Sequence, residues 1–356
     1  MGEKVLMKGN EAIAEAAIQA GCRLFFGYPI TPQTEVAAYM AKRMPKVDGV
    51  FLQAESEVAA INMVYGAAST GSRVMTSSSS PGISLKAEGI SYIAGSDLPC
   101  VIVNIVRGGP GLGGIQPAQS DYFQAVKGGG HGDYKLVVFA PSSIQELVDL
   151  TQEAFDVADM YRMPVMIMGD GMIGQMMEPI EFKAGKKREL PEKTWATTGT
   201  ECKRKHNIVN SLYIEPDALE KMVVDRYEKY KVIEKNETKV EEYMTDDAEI
   251  IIAAYGTIAR VAKSAIAQLR KDGVKVGLIR PITLWPFPSE NFAKAADKVD
   301  AFLSVEMSMG QMVEDVRLAV NGKKPVEFFG RTGGVIPTPD EIYDYVMKMK
   351  GGVCRG

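Results

Sequence analysis

The chain has 356 residues, of which 46% are hydrophobic and 24% charged, and its formal net charge is −4. These values are typical of a globular protein with two or three domains, and the slightly acidic balance argues against nucleic acid as a partner. No apolar run is long enough to span a membrane and no signal-peptide pattern opens the chain, so we expect a cytoplasmic protein.

Cysteine and histidine are too sparse for several kinds of site. The four cysteines are scattered singly without a C-x-x-C pair, so we predict that this chain itself holds no metal and no iron–sulfur cluster. Two histidines argue against a histidine-based triad. Any chemistry must therefore depend on carboxylates, arginine, hydroxyl groups or a cofactor. The cysteines are Cys22, Cys100, Cys202 and Cys354, and the histidines are His131 and His206.

Segments typical of helices and strands alternate over the first half of the chain. Apolar residues at helical spacing predict helices at 10–20, 34–42, 57–68, 84–94 and 142–160. Short apolar runs predict strands at 24–26, 50–53, 74–77, 99–106 and 164–168. The run at 99–106 is almost entirely apolar, which is typical of a strand buried on both faces. This alternation predicts a parallel sheet covered by helices on both faces.

From about residue 183 the sequence becomes more charged and loses clean periodicity. We interpret 186–245 as a charged linker or an excursion over the surface, with one long polar helix at 217–245. A second α/β unit follows, with strands predicted at 249–255, 274–279, 302–305 and 326–329 and helices at 258–271, 311–320 and 339–349. The predicted domains are therefore 1–185 and 246–356, joined by segment 186–245.

Two prolines bracket Thr31 directly after the first buried strand, in the run Tyr28-Pro29-Ile30-Thr31-Pro32. Proline fixes φ and keeps the preceding residue out of the helical region, so we expect a stiff turn that presents the threonine hydroxyl. The turn leaves the carboxyl edge of the sheet, where open α/β sheets bind ligands. An ordinary strand-to-helix connection explains the same residues equally well.

Further polar residues are expected at ends of strands and helices. Glu57 lies near the start of an apolar helix, where a carboxylate either caps the helix or points into a cleft and shares a proton with a ligand nitrogen. Arg107 follows the doubly buried strand, and its guanidinium suits a carboxylate or phosphate, or else an internal salt bridge. The serine-rich loop that ends at Ser80-Pro81-Gly82 either cradles a ligand with its amides or is an ordinary capped turn.

Two glycine motifs do not carry a function in this interpretation. Gly109, Gly111 and Gly114 match G-x-G-x-x-G, but Pro117 follows where a dinucleotide-binding motif would open a helix. An NAD-linked dehydrogenase remains an alternative that depends on this loop. The run 169–171 is similar to the start of a thiamine diphosphate–Mg²⁺ motif but lacks its asparagine-rich partner, so we interpret Asp170 as a strand-end residue.

Taken together, these segments resemble the alpha chain of 2-oxoacid:ferredoxin oxidoreductases, which are thiamine-diphosphate enzymes related to pyruvate:ferredoxin oxidoreductase. The resemblance rests on the Tyr28–Pro32 run, the segment 54–60 around Glu57, the loop 76–82, Arg107 and the Gly-Arg-Thr-Gly-Gly run at 330–334. The runs at 108–113 and 128–133 are most similar to chains for branched-chain 2-oxoacids, with the 2-oxoglutarate type as the close rival. A thiamine pyrimidine-binding domain followed by a transketolase C-terminal-like domain is the implied fold.

The resemblance also implies roles for the candidate residues. Glu57 would hydrogen-bond N1′ of the thiamine pyrimidine, while Thr31 and Arg107 would hold the keto oxygen and carboxylate of a 2-oxoacid such as 3-methyl-2-oxobutanoate. Decarboxylation would give an acyl group for coenzyme A and two electrons for ferredoxin. The remaining residues implied at the cofactor are Tyr28, Pro29, Ile30, Ser80, Pro81 and Gly82.

The same resemblance implies partner chains. Since this sequence lacks a diphosphate–Mg²⁺ motif and a set of cluster cysteines, a beta subunit would supply Mg²⁺, the diphosphate site and a 4Fe-4S cluster. Gamma and ferredoxin-like delta subunits would complete a heteromeric complex. A non-catalytic α/β scaffold subunit that kept the fold is the alternative from another functional class.

Overall fold

A computed structural model describes residues 4–183, 185 and 188–353, of which the last two are described by their backbone alone, and Cys354 lies outside this part. The helices are α1 Gly9–Gln19, α2 Thr34–Arg43, α3 Glu57–Ser69, α4 Pro81–Gly95, α5 Tyr122–Val126, α6 Ile144–Tyr161, α7 Gly171–Gln175, α8 Pro216–Glu237, α9 Gly256–Lys271, α10 Ser289–Ala295, α11 Met312–Val320 and α12 Pro339–Val353. The strands are β1 Val5–Lys8, β2 Leu24–Gly27, β3 Val50–Gln53, β4 Val74–Ser78, β5 Cys100–Val106, β6 Val137–Phe139, β7 Pro164–Asp170, β8 Met177–Ile180, β9 Val240–Tyr243, β10 Ile250–Ala253, β11 Val276–Pro281, β12 Thr283–Trp285, β13 Ala301–Glu306 and β14 Val326–Gly330.

A seven-stranded sheet in the order β12-β6-β7-β5-β4-β2-β3 organises the first half of the molecule. Its strands pair in parallel from β6 to β3, which confirms the predicted α/β architecture. Every residue of β5 is buried, as its apolar run predicted. Because the strands are parallel, the carboxyl ends of β2, β4, β5 and β7 lie along one edge of the sheet.

The edge strand β12 comes from the second half of the chain. It pairs antiparallel with β6, where Thr283 aligns with Phe139 and Trp285 with Val138. Neither strand was predicted, because three residues are too few to show alternation of apolar and polar side chains. The second half of the chain therefore completes the sheet of the first half.

A second sheet has the order β14-β13-β10-β11-β9, in which only β9 runs antiparallel. The prediction of one helix over 217–245 is wrong, since α8 ends at Glu237 and 240–243 pairs as β9 with β11. Charge explains the error: Glu241 of β9 accepts a 2.6 Å hydrogen bond from Arg280, so a charged side chain faces the sheet where an apolar one would be expected.

The charged segment before the second unit packs on the first unit. Tyr230 and Ile233 of α8 are buried and belong to the main hydrophobic core. Buried Arg226 donates to Asp97, which precedes β5, at 3.3 Å. This segment therefore contributes to the core, which its polar sequence did not predict.

Polar side chains fasten the two α/β units together. Gln119 donates to the Tyr255 carbonyl at 3.0 Å and accepts from the Met307 amide at 2.9 Å. Arg280 makes a bidentate pair with Glu146, with bonds of 2.8 and 2.9 Å. These hydrogen bonds are directional, so they attract the two units and also hold the second unit in a defined position against the first.

Glu306, at the end of β13, is a fully buried carboxylate. It accepts five hydrogen bonds of 2.8–3.0 Å from two serine hydroxyls and from three backbone amides at the start of α11. A carboxylate at a helix N-terminus satisfies amides that otherwise have no partner and interacts favourably with the helix dipole. Among the described residues, no helix is both long and apolar enough to cross a membrane.

Candidate functional site

The turn after β2 is held against the sheet edge by buried side chains. Gln33 is fully buried; it donates to the Tyr28 carbonyl at 3.2 Å and accepts from the Ser77 hydroxyl at 2.5 Å. The Asn10 amide donates to the Pro32 carbonyl at 2.7 Å. These bonds fix the turn at both ends and leave Thr31 exposed between them.

Arg107, at the end of β5, reaches this turn directly. Its guanidinium is buried and donates through Nη1 to the Thr31 carbonyl at 2.9 Å and through Nη2 to the Leu112 carbonyl at 3.0 Å. Its Nε is buried and has no partner among the described residues. The structure therefore brings Thr31 and Arg107 together, and the arginine keeps a free N–H for a further acceptor.

The serine-rich loop between β4 and α4 joins the same group. The Ser80 hydroxyl accepts from the Arg107 amide at 3.0 Å and donates to the Arg107 carbonyl at 3.2 Å. The Ser80 amide donates to Asn104 at 3.1 Å, and Asn104 in turn donates to Asp121 at 3.0 Å. Burial raises the pKa of Asp121, although the hydrogen bonds from Asn104 and Ser80 partly oppose this. The loop is thus tied to the end of β5 by three hydrogen bonds.

Glu57 is the first residue of α3 and is buried. Ser56, the residue before it, caps the helix by accepting from the Ala59 amide at 3.2 Å, so the Glu57 carboxylate is not needed as the cap. Within the described residues, no hydrogen bond reaches this carboxylate, and none joins it to Thr31 or Arg107. The side chain therefore fits a carboxylate held ready for a ligand better than one with a structural role.

Gly82 explains how Glu57 approaches the serine-rich loop. A side chain at Gly82 would begin 2.0 Å from the Ser78 hydroxyl oxygen and 2.8 Å from the Glu57 Oε1. Both distances are too short for a Cβ contact, so a side chain at this position would have to displace the Ser78 hydroxyl and the Glu57 carboxylate. The buried hydroxyls of Ser78 and Ser79 have no partner among the described residues. At least one of these unpaired hydroxyls, that of Ser78, therefore lies near the Glu57 carboxylate.

Lys86 is a member of this group that the sequence did not indicate. It is fully buried and donates through Nζ to the Thr76 hydroxyl at 2.7 Å and to the Ser77 carbonyl at 3.1 Å. Burial lowers its pKa to about 7, and the nearby Glu57 carboxylate partly opposes this shift. A lysine in a helix that also carries Ser84 and Glu88 is expected to face solvent, so only its position four residues after Gly82 was a possible signal.

Other predicted residues lie around this group without entering it. Tyr28 and Ile30 are half-buried and Pro29 is exposed in the turn, while Pro81 opens α4 as its first residue. Pro is favourable there because its missing N–H is not needed by the helix.

The glycine-rich loop after Arg107 does not open a helix. The next helix is α5, which begins at Tyr122, so the G-x-G-x-x-G run lacks the setting of a dinucleotide site. A Cβ atom at Gly108 would instead lie 3.6 Å from the carbonyl carbon of Gly333, and a Cβ atom at Gly334 would lie 2.3 Å from the Cβ atom of Gln116. The Gly-Arg-Thr-Gly-Gly run of the second unit therefore packs closely against this loop.

Asp170 ends β7, as predicted, and its side chain connects this strand to α7 and to the second unit. Its carboxylate caps α7 by accepting from the amides of Met172 at 2.8 Å and Ile173 at 3.1 Å, and it also accepts from Thr257 of the second unit. Burial raises its pKa, although these hydrogen bonds partly oppose the shift.

An open cleft of about 400 Å³ begins at Thr31. It lies between the turn after β2, the loop before α5, helix α7 and the segment that follows the Gly-Arg-Thr-Gly-Gly run. Its lining residues are Thr31, Pro32, Ile115, Gln116, Pro117, Gly171, Met172, Gln175 and Ile336.

The three cysteines that the structure describes are not among the residues of this site. Burial raises the pKa of Cys22 and of Cys100 to about 12, so both remain protonated thiols, and Cys202 is a free, exposed cysteine. In the described ranges, no group of three or more His, Cys, Asp or Glu side chains is placed to hold a metal ion.

Two protein-family models cover most of the chain. Residues 15–245 match "Pyruvate flavodoxin/ferredoxin oxidoreductase, thiamine diP-bdg". Residues 248–342 match "Pyruvate:ferredoxin oxidoreductase core domain II".

Curated relatives are similar in sequence to this chain over nearly its full length. The chain is 52% identical to the ketoisovalerate oxidoreductase subunit VorB of Methanothermobacter marburgensis, over 97% of each chain. It is 38% identical to the 2-oxoglutarate synthase subunit KorA of Methanothermobacter thermautotrophicus, over 98% of this chain and 100% of that one.

Solved structures show the same fold. A 2-oxoglutarate:ferredoxin oxidoreductase from Magnetococcus marinus, with 2-oxoglutarate, coenzyme A and succinyl-CoA bound, superimposes with a TM-score of 0.87 at 27% identity, covering 98% of this chain and 65% of that one. A split-gene transketolase matches in fold alone, with a TM-score of 0.60 at 15% identity over 98% of each chain. The chain belongs to the 2-oxoacid:ferredoxin oxidoreductase family, whose members oxidatively decarboxylate 2-oxoacids with thiamine diphosphate.

Proposed function

We propose that this chain is the alpha subunit of an oxidoreductase that converts 3-methyl-2-oxobutanoate and coenzyme A to the acyl-CoA and CO₂ and reduces ferredoxin. The substrate assignment is supported by the 52% identity to a ketoisovalerate oxidoreductase subunit, against 38% to a 2-oxoglutarate synthase subunit. A 2-oxoglutarate-specific subunit is the alternative, and a non-catalytic scaffold subunit is the alternative from another class.

One observation carries the catalytic assignment: five of the predicted site residues lie together at one sheet edge. Arg107 contacts the Thr31 carbonyl directly, and the Ser80 hydroxyl bonds to the Arg107 backbone. Gly82, two residues after Ser80, lies against the Glu57 carboxylate. The proposed site therefore combines a hydrogen-bonded group of Thr31, Arg107 and Ser80 with the neighbouring Glu57 carboxylate, which lies against the same loop at Gly82.

The residues around Glu57 fit a thiamine pyrimidine. This heterocycle presents ring nitrogens and an amino group, and among the described residues the site offers a carboxylate without a hydrogen-bond partner near the unpaired buried hydroxyl of Ser78. Gly82 allows the Ser78 hydroxyl and the Glu57 carboxylate to lie close together, since a side chain there would collide with both. When bound, the cofactor supplies the carbanion chemistry that protein side chains lack.

In this proposal each residue has a separate role. Glu57 holds a proton between its carboxylate and N1′ of the pyrimidine, which favours the cofactor's reactive tautomer. Arg107, through its free Nε–H, binds the substrate carboxylate, and the Thr31 hydroxyl donates to the keto oxygen. The cofactor would also be contacted by Tyr28, Pro29, Ile30, Ser80, Pro81 and Gly82.

The proposal requires partner chains. A beta subunit would bring the diphosphate and Mg²⁺ site and a 4Fe-4S cluster, and gamma and ferredoxin-like delta subunits would complete a cytoplasmic complex. The relatives are themselves named as subunits, which supports this assembly. We expect the isolated chain to bind thiamine diphosphate weakly and to show no turnover.

Glu57→Gln in the reconstituted complex tests the catalytic assignment. The amide cannot hold the proton, so turnover of 3-methyl-2-oxobutanoate should fall at least about a hundredfold, the low end for a positioned proton-transfer group. Glu55→Gln is the matched control, since Glu55 is exposed two residues earlier, and it should retain activity. An unchanged rate in the Glu57 variant would favour the scaffold alternative.

A further inference from the structure

We propose that the cleft beginning at Thr31 binds the aliphatic side chain of the 2-oxoacid and excludes a second carboxylate, so that Ile115, Met172 and Ile336 determine substrate specificity. This inference rests on the proposed function, because it takes Arg107 and Thr31 as the residues that bind the common 2-oxoacid group.

The position of the cleft follows from residues already placed. Thr31 lines the cleft, and its carbonyl accepts the hydrogen bond from Arg107. A 2-oxoacid whose carboxylate pairs with Arg107 and whose keto oxygen reaches Thr31 therefore has its side chain at the cleft entrance. The volume of about 400 Å³ is ample for a branched chain of a few carbons.

The lining of the cleft suits an apolar group. Ile115, Met172 and Ile336 line it with two prolines, and none of the lining residues is charged. Ile115 is 57% exposed, so its surface is available for an apolar partner. Ile336 belongs to the second α/β unit, and the cleft thus depends on how the two units are joined.

Charged side chains just outside the lining of the cleft also favour an aliphatic substrate over one with a second carboxylate. Arg107 contacts Thr31 at one end of the cleft. Behind another wall of the cleft, the Glu35 carboxylate accepts a 3.0 Å hydrogen bond from the side chain of Gln175. Partial burial opposes ionisation of Glu35, but hydrogen bonds from Gln175 and Asn10 outweigh it and lower the pKa of Glu35. An ionised carboxylate behind the wall repels the distal carboxylate of 2-oxoglutarate and leaves a branched aliphatic chain unaffected.

The test uses the assembled complex and three substrates: 3-methyl-2-oxobutanoate, pyruvate and 2-oxoglutarate. Met172→Ala and Ile336→Ala should each lower kcat/KM for 3-methyl-2-oxobutanoate about tenfold, mainly through KM, with little change for pyruvate, whose methyl group is too short to reach them. Met347→Ala is the matched control, since Met347 is 40% exposed on α12. This variant should leave kcat/KM unchanged for all three substrates.

A second variant keeps the test independent of any packing defect. Glu35→Gln preserves the shape of the wall and removes the anion, so it should raise the ratio of 2-oxoglutarate to 3-methyl-2-oxobutanoate turnover by roughly threefold or more. If the substrate ratios stay constant in all three cleft variants while Glu57→Gln abolishes turnover, the cleft assignment is wrong and the proposed function stands. If Glu57→Gln is fully active, the proposed function itself fails.

Discussion

Replacing Lys86 with methionine should stabilise the chain at neutral pH. The pKa of this fully buried amine is lowered from 10.5 to about 7, whereas in the unfolded chain it keeps its ordinary value. The unfolded state therefore binds more protons than the folded state between pH 7 and 10.5. Burying the amine costs the folded state about 4 kcal/mol at pH 7, and methionine, similar in length and uncharged, avoids this cost.

Two losses reduce the expected gain. Methionine cannot donate to the Thr76 hydroxyl or to the Ser77 carbonyl, and each bond contributes about 1 kcal/mol. A net gain of about 2 kcal/mol in the free energy of unfolding remains at pH 7. Folding releases the Lys86 proton above pH 7, and this release costs less free energy as the pH rises. The difference between variant and wild type should therefore shrink by about 1 kcal/mol per pH unit between pH 7 and 10.5.

Urea unfolding of the full-length chains, followed by circular dichroism at several pH values on both sides of 7, measures this difference. Lys348→Met is the matched control, because Lys348 is an exposed lysine on α12, and its difference from wild type should stay flat with pH. A Lys86→Met difference that is equally flat would refute the reasoning, whatever its sign at pH 7. Loss of turnover in the more stable variant would additionally mark Lys86 as a positioning residue for Glu57.

Two further substitutions test the packing described above. Gly82→Ala should displace the Ser78 hydroxyl and weaken thiamine diphosphate binding in the complex by about 5- to 150-fold, since overpacking costs about 1–3 kcal/mol; isothermal titration would measure this. Gly66→Ala, a helical site with open space, should instead be neutral or slightly stabilising, and equal effects at both sites would contradict the proposed crowding. Glu306→Ala leaves five donors without their acceptor and should lower the free energy of unfolding by about 3–5 kcal/mol in urea. For exposed Glu314→Ala the loss should stay below about 1 kcal/mol, and a similar small loss in Glu306→Ala would show that water replaces the carboxylate.

The sequence predicted those parts of the site that have a local signature. The prolines around Thr31 and the apolar run before Arg107 locate both residues at strand ends, and parallel strands place such ends on one edge. Gln33 and Lys86 were not predicted, because both are polar side chains whose burial depends on hydrogen bonds to β4 rather than on any local pattern. Periodicity reports which face of an element is apolar; it does not report which buried polar groups meet.

The same limit applies to the fold. Alternation of strands and helices predicted both α/β units, since it reflects regular burial over many residues. Strand β9 carries charged residues, and β6 and β12 have three residues each, so no periodic signal distinguishes them. The polar helix α8 was predicted too long because the charged residues of β9 obscure its strand pattern, and pairing with β11 decides where the chain becomes extended.

The position of β12 at the sheet edge has a consequence for dissecting this molecule. A fragment that stops before the second unit would leave the backbone of β6 unpaired along one side and would remove the Trp285 ring from Tyr230, whose centroids lie 5.4 Å apart. Unpaired edges of this kind promote association between chains. The first unit is therefore a poor candidate for expression by itself, and any division of the chain that keeps its parts soluble must leave β12 with the first sheet.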